Sequence, residues 1–86
     1  MSGKEIGKVT HFFGHVGVAV LALSGKISVG DMLHFLGHST DFEQQVASMQ
    51  IEHKDVTSAK KGDDVAVKVD QRVHENDKVF RLTTED

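Results

Sequence analysis

A short figure, Val29-Gly30-Asp31-Met32-Leu33, returns as Lys61-Gly62-Asp63-Asp64-Val65 and again as Glu75-Asn76-Asp77-Lys78-Val79. Gly and Asn tolerate the left-handed backbone of a tight turn. The Asp accepts hydrogen bonds from nearby backbone N–H groups, and the apolar residue two places after it enters a pleated strand. Three such turn-then-strand units imply a compact all-β fold, and their unequal spacing argues against a solenoid.

The segments between the turns read mostly as strands. Residues 5–13 mix β-branched and aromatic residues without helical spacing. After a turn at Gly14-His15, residues 16–23 are apolar at both parities, which suits a strand covered on both sides or one bent by a bulge at Gly17. Ser24-Gly25-Lys26 forms a turn before Ile27, and residues 32–37 form a third strand. Val65, Val67 and Val69 alternate with Asp64, Ala66, Lys68 and Asp70, giving one apolar and one mostly wet face. Residues 70–76 make a loop carrying Val73. Residues 78–82 make the last strand, with Phe80 and Leu82 expected to face the core, and Thr83-Thr84-Glu85-Asp86 is expected to fray.

Two stretches are less direct. Residues 55–61 read as a polar connection in which Val56 and Ala59 pack as a single helical turn. In residues 40–53, Thr40-Asp41-Phe42-Glu43 looks like a capping box, and Phe42, Val46, Met49 and His53 fall near helical spacing. Against that, Ala47, Met49 and Ile51 alternate with Ser48, Gln50 and Glu52 at the period of a half-buried strand, so helix and strand both stand on these residues alone.

Six short strands, no proline and frequent glycine turns favour an antiparallel closed barrel, which removes exposed edges. Eighty-six residues suit one domain, with residues 5–82 as its core. There is no cysteine, so disulfides and thiolate ligands are excluded, which fits a reducing cytoplasm. The apolar run 16–23 is far shorter than the roughly twenty residues of a membrane-spanning helix, and the start of the chain lacks an apolar secretory segment. A cytoplasmic monomer without membrane contact or cofactor is therefore expected. With a net charge of −3 and ten scattered Lys and Arg residues, the chain lacks the basic stripe of a non-specific nucleic-acid binder.

The ordered set Val46, Ser48, Met49, His53, then Ala59, Gly62, Asp63 and Val65, resembles the second domain of the translation-factor GTPases, above all the elongation factors that carry aminoacyl-tRNA. Ile6, Gly7 and Val9 resemble that domain's opening strand, and Gly25, Ile27, Gly30 and Asp31 its first turn. The resemblance implies a six-stranded closed barrel of the translation-factor domain 2 type, with residues 42–52 as one long strand. It also implies a non-enzymatic module contacting tRNA, ribosomal RNA or a protein of the translation machinery. The chain lacks the phosphate loop of a GTPase domain, and Leu21-Ala22-Leu23-Ser24 stands where those factors carry a charged stretch near bound tRNA. The sequence is also similar to the C-terminal barrel of the U32, collagenase-like peptidases. That implies an alternative role as an accessory barrel that positions substrate for a U32-type peptidase or an RNA-modification enzyme.

The candidate contact residues are His53, Lys54, Lys60 and Lys61, the most basic neighbourhood, and the adjacent pair Phe12 and Phe13, one of which points outward on a strand unless the turn at Gly14 tucks both in. Six histidines include the pairs His11/His15 and His34/His38 at ligand-like spacing. However, Gly14 and Gly37 interrupt both segments, and residues four apart on a strand lie about 13 Å apart. Surface and turn histidines are the better reading. His38-Ser39-Thr40-Asp41 holds the residue types of a hydrolytic triad without its geometry and reads as a loop, so no catalytic or metal site is assigned.

Overall fold

The computed structural model describes residues 2–83. Ten strands follow one another: β1 (Ser2–Phe13), β2 (Val18–Leu23), β3 (Ile27–Ser28), β4 (Met32–Leu36), β5 (Asp41–Gln45), β6 (Met49–Ile51), β7 (Lys54–Val56), β8 (Ser58–Ala59), β9 (Asp64–Lys68) and β10 (Lys78–Thr83). Eight form one antiparallel sheet in the order β5-β4-β10-β1-β2-β9-β6-β7, and β3 pairs with β8.

The repeated figure is one structure built three times. Gly30, Gly62 and Asn76 have φ of 98°, 95° and 74°. In each turn the Asp N–H donates to the carbonyl three residues back, and that residue's own N–H donates to the Asp Oδ2. Ser28 N–H reaches Asp31 at 2.8 Å, Lys60 N–H reaches Asp63 at 3.0 Å and His74 N–H reaches Asp77 at 2.8 Å. β4, β9 and β10 start immediately after. The residues two places past each Asp, Leu33, Val65 and Val79, are fully buried.

That parity corrects the reading of the last strand. With Val79 facing the core, Phe80 and Leu82 must take the outer face, where they line a hollow with Leu36 and Gly3.

β1 is long enough to pair along its first part with β10 and along its later part with β2 because two bulges adjust its register, at Ile6 against β10 and at Thr10 against β2. Gly7 follows the first bulge, where the strands come so close that a Cβ would lie 2.6 Å from the Ala22 carbonyl oxygen. Gly17 does not bulge a strand: it ends the turn between β1 and β2 at φ 66°.

Strands from both ends of the sheet feed one core. Leu33, Phe35, Phe42, Ile6, Leu21, Met49, Val67 and Val79 all belong to it, and the Phe35 and Phe42 rings stack at 5.0 Å. The sheet therefore curls. It does not close, which overturns the expected six-stranded closed barrel.

The reason lies in the stretch expected to be one long strand. It is extended rather than helical, yet it breaks after Gln45. Val46 leaves the ladder to bond Gly30 and Asp31, and the chain resumes as β6 on a different neighbour, β9. Near the break, the side-chain amide of Gln44 donates to the Lys68 carbonyl and accepts from Asp70 N–H, both at 2.8 Å. One side chain thus spans a gap where a closed barrel would have a backbone ladder. β5 and β7 remain as edges. Residues 55–61, expected as a connection with a helical turn, instead supply β7 and β8, with Ala59 buried. Thr83 completes β10, and the rest of the end expected to fray, residues 84–86, lies outside the described residues.

Candidate functional site

β2 alternates perfectly in burial: Ala19, Leu21 and Leu23 face the core, so Val18, Val20 and Ala22 face outward. Its apolar second parity is covered neither by a layer nor by a bulge. Instead, Val18 and Val20 floor a groove of about 360 Å³ with Ala66 of β9, which lies opposite Val20. Phe13 and Val16 form one wall. They are 52% and 60% exposed, the largest openings among the bulky apolar side chains described. The four-residue turn after β1 holds them there, since the Val16 and Gly17 N–H groups both donate to the Phe13 carbonyl. The His11 ring lies against Phe13 at 6.2 Å.

The opposite rim comes from the β6–β7 hairpin. Gln50 sits beside Ala66, and the chain reverses through Glu52 and His53, whose φ values are 51° and 67°. Two consecutive left-handed residues are the signature of a type I′ turn, which normally takes Asn-Gly because other side chains crowd the backbone there. This hairpin places Glu52 and His53 over the groove against that preference, and Asp64 completes the rim.

The structure thus brings together two of the six residues singled out from sequence, Phe13 and His53. Phe12 turns inward and packs against the core. Lys54 lies on β7 beside a separate hollow with Ile51 and Val56. Lys60 lines another with Lys26 and Asp63, and Lys61 is exposed in the neighbouring turn. The basic residues therefore do not form one patch. Val16, Val18, Val20, Glu52 and Asp64 were not singled out; the double-parity apolar pattern of residues 16–23 was a signal for the three valines, and none marked Glu52 and Asp64.

The histidines are dispersed. His34 Nε2 meets Asp41 Oδ1 at 2.6 Å, and His74 Nδ1 lies 3.1 Å from the hydroxyl of buried Thr40. Among the described residues no group of three or more His, Cys, Asp or Glu is placed to hold a metal ion, and no helix is long and apolar enough to cross a membrane.

Comparison with solved structures gives the fold a counterpart. The C-terminal domain of a Geobacillus thermoleovorans protein named as a U32 peptidase superposes with a TM-score of 0.87 over 93% of each chain, at 18% identity. Its selenomethionine variant gives 0.84, over 88% of this chain and 96% of that one. The chain is similar to the C-terminal domain of U32 peptidases. Sequence relatives agree. An uncharacterised protease of Methanocaldococcus jannaschii is 44% identical over 79 residues, which is 91% of this chain and 19% of that protein. Collagenases of Porphyromonas gingivalis are 31% identical over 79 residues, 90% of this chain and 22% or 19% of theirs. No family model matches. The chain thus spans about a fifth of the length of these curated relatives. These findings correct the expected translation-elongation role: the relatives are named as proteases and collagenases, and the resemblance that holds is the U32 one.

Proposed function

We propose that this domain is a non-catalytic accessory module of the U32 peptidase type, which positions substrate for a separate catalytic body. The observation that carries the reading is the coverage: the likeness takes in about nine-tenths of this chain but about a fifth of each relative, so the module is shared while most of each relative lies outside it. The groove fits such a role. Its floor and wall are apolar and open, the character of a surface that holds another chain.

The test is deletion of the matching 79-residue segment from the Methanocaldococcus jannaschii relative. Hydrolysis of an unfolded protein and of a short fluorogenic peptide are then compared. A positioning module predicts that kcat/KM for the protein falls about tenfold or more while that for the short peptide stays within about twofold, because remote binding energy is available only to the longer substrate. Equal loss on both substrates, or no loss on either, would refute it.

A further inference from the structure

The groove has two unlike ends. Val20, Ala66 and Gln50 lie in one row across β2, β9 and β6. Two residues further along β2 and β9, the next row on the same face contains Ala22 and Asp64, which pair directly, and Glu52, in the turn after β6, lines the same groove. The first row is apolar except for an amide, whereas Asp64 in the next row and Glu52 in the turn add two carboxylates. Both carboxylates are exposed, and among the described residues neither is in an ion pair. The groove's lining contains neither Lys nor Arg. Lys8, opposite Ala22, and Lys68, opposite Val18, share this outer face from beyond that lining.

The two rows are about 7 Å apart, the repeat of side chains on one face of an extended chain. We propose that the groove binds an extended peptide segment carrying an apolar side chain and, two positions away, an Arg or Lys. This deepens the substrate-positioning reading and rests on it. The apolar side chain lies over Val20 and Ala66 against Phe13 and Val16, and the cation meets Glu52 and Asp64. An Arg fits best, since its planar fork pairs with carboxylates through two donors. Polyanions are disfavoured at the same place by the two carboxylates.

The experiment is an amide-shift titration of the isotope-labelled 86-residue chain with short blocked peptides. One peptide has Leu with Arg two positions on. In a second the Arg is replaced by Glu, and in a third the Leu is replaced by Gly. Shifts centred on Phe13, Val20, His53 and Ala66 are expected with the first peptide, and affinity about tenfold or more weaker is expected for each of the others. The double variant Glu52→Lys with Asp64→Lys should reverse the preference between the Arg and Glu peptides. Its amide spectrum reports whether the fold persists, and the peptide exchanges decide the matter without it. Equal binding of the Arg and Glu peptides, shifts centred on Leu36 and Phe80, or no shifts would each overturn the proposal. If the peptides fail while the segment deletion still lowers protein hydrolysis selectively, this inference falls and the accessory role stands.

Discussion

The three Asp turns form a built-in series in which local geometry is constant and burial varies, so Asp→Ala at each separates the two. All three substitutions remove one hydrogen bond from Oδ2 to a backbone N–H at 2.8–3.0 Å. At Asp63 the bond is exposed and water takes over the Lys60 N–H, so the loss is about 0.5–1 kcal/mol. Asp31 is 28% exposed at its side chain and also has the Arg81 guanidinium 3.9 Å away, which sets its loss at about 1–1.5 kcal/mol. Asp77 is 5% exposed, and its carboxylate packs where a Cβ on Gly37 would stand. Removing it leaves the His74 N–H poorly served and opens a void, for about 2–3 kcal/mol. At about 4–8 °C of Tm per kcal/mol in a domain this size, the melting point should fall about 2–8 °C for Asp63→Ala and about 8–24 °C for Asp77→Ala, with Asp31→Ala between. Thermal melts followed by circular dichroism, with calorimetry for the enthalpy, measure this. Asp→Asn at positions 31 and 63 should recover most of the loss, since the amide oxygen keeps the acceptor. Three equal losses, or a smallest loss at Asp77, would refute the assignment of the difference to burial.

Gln44→Met keeps the volume but deprives the Lys68 carbonyl and Asp70 N–H of their partner, and should cost about 2–4 kcal/mol in chemical denaturation; a change under about 0.5 kcal/mol would show that water closes the gap equally well. Val67→Asp places a charge at a site with no solvent exposure and should cost at least about 3 kcal/mol; a melting point within a degree of the parent would refute the inward register of β9. Glu52→Asn with His53→Gly installs the pair that the two left-handed positions prefer and should raise Tm about 4–8 °C while weakening capture of the Arg-bearing peptide; a lower Tm would show that the turn's side chains stabilise it.

The strands around the repeated turns were legible because each turn names its own chemistry: a residue that tolerates positive φ, an acceptor, then a buried residue at Asp plus two. That rule also contained the correct parity of the last strand. It places Val79 inside and Phe80 outside, the opposite of the inward side expected for Phe80 and Leu82. Closure was less accessible. A strand long enough to complete a barrel is written in residues 42–52, and nothing local announces that Val46 will be captured by Gly30 and Asp31. The decision depends on partners fifteen or more residues away, as does the role of Gln44, which is ordinary in sequence and singular in place. Of the candidate site, Phe13 and His53 were legible as an outward aromatic and a basic turn. That they meet at one groove depends on the order β1-β2-β9-β6, which no single segment encodes.

The outer face of β2 connects these observations. A strand that has one wet face has no energetic reason to place Val at two outward positions and to follow Phe13 with an exposed Val16, since each leaves apolar surface in water at about 25 cal/mol per Å². Beside them, the β6–β7 hairpin holds Glu52 and His53 in a backbone conformation that Asn-Gly would adopt more readily. Both features lower the stability of the domain taken alone, and both converge on the same groove. Chance would scatter them. Their coincidence is what an interaction surface requires: apolar area that gains on being covered, and rim residues whose backbone the turn sets before the partner arrives. The hollow at Leu36, Phe80 and Leu82 also joins apolar side chains to a carboxylate, Glu43, but it has no left-handed turn at its rim, and His34, which lines it, is already paired with Asp41. Of the two hollows, the groove over β2 is the one that joins apolar surface to such a turn, and the proposed peptide is placed there for that reason.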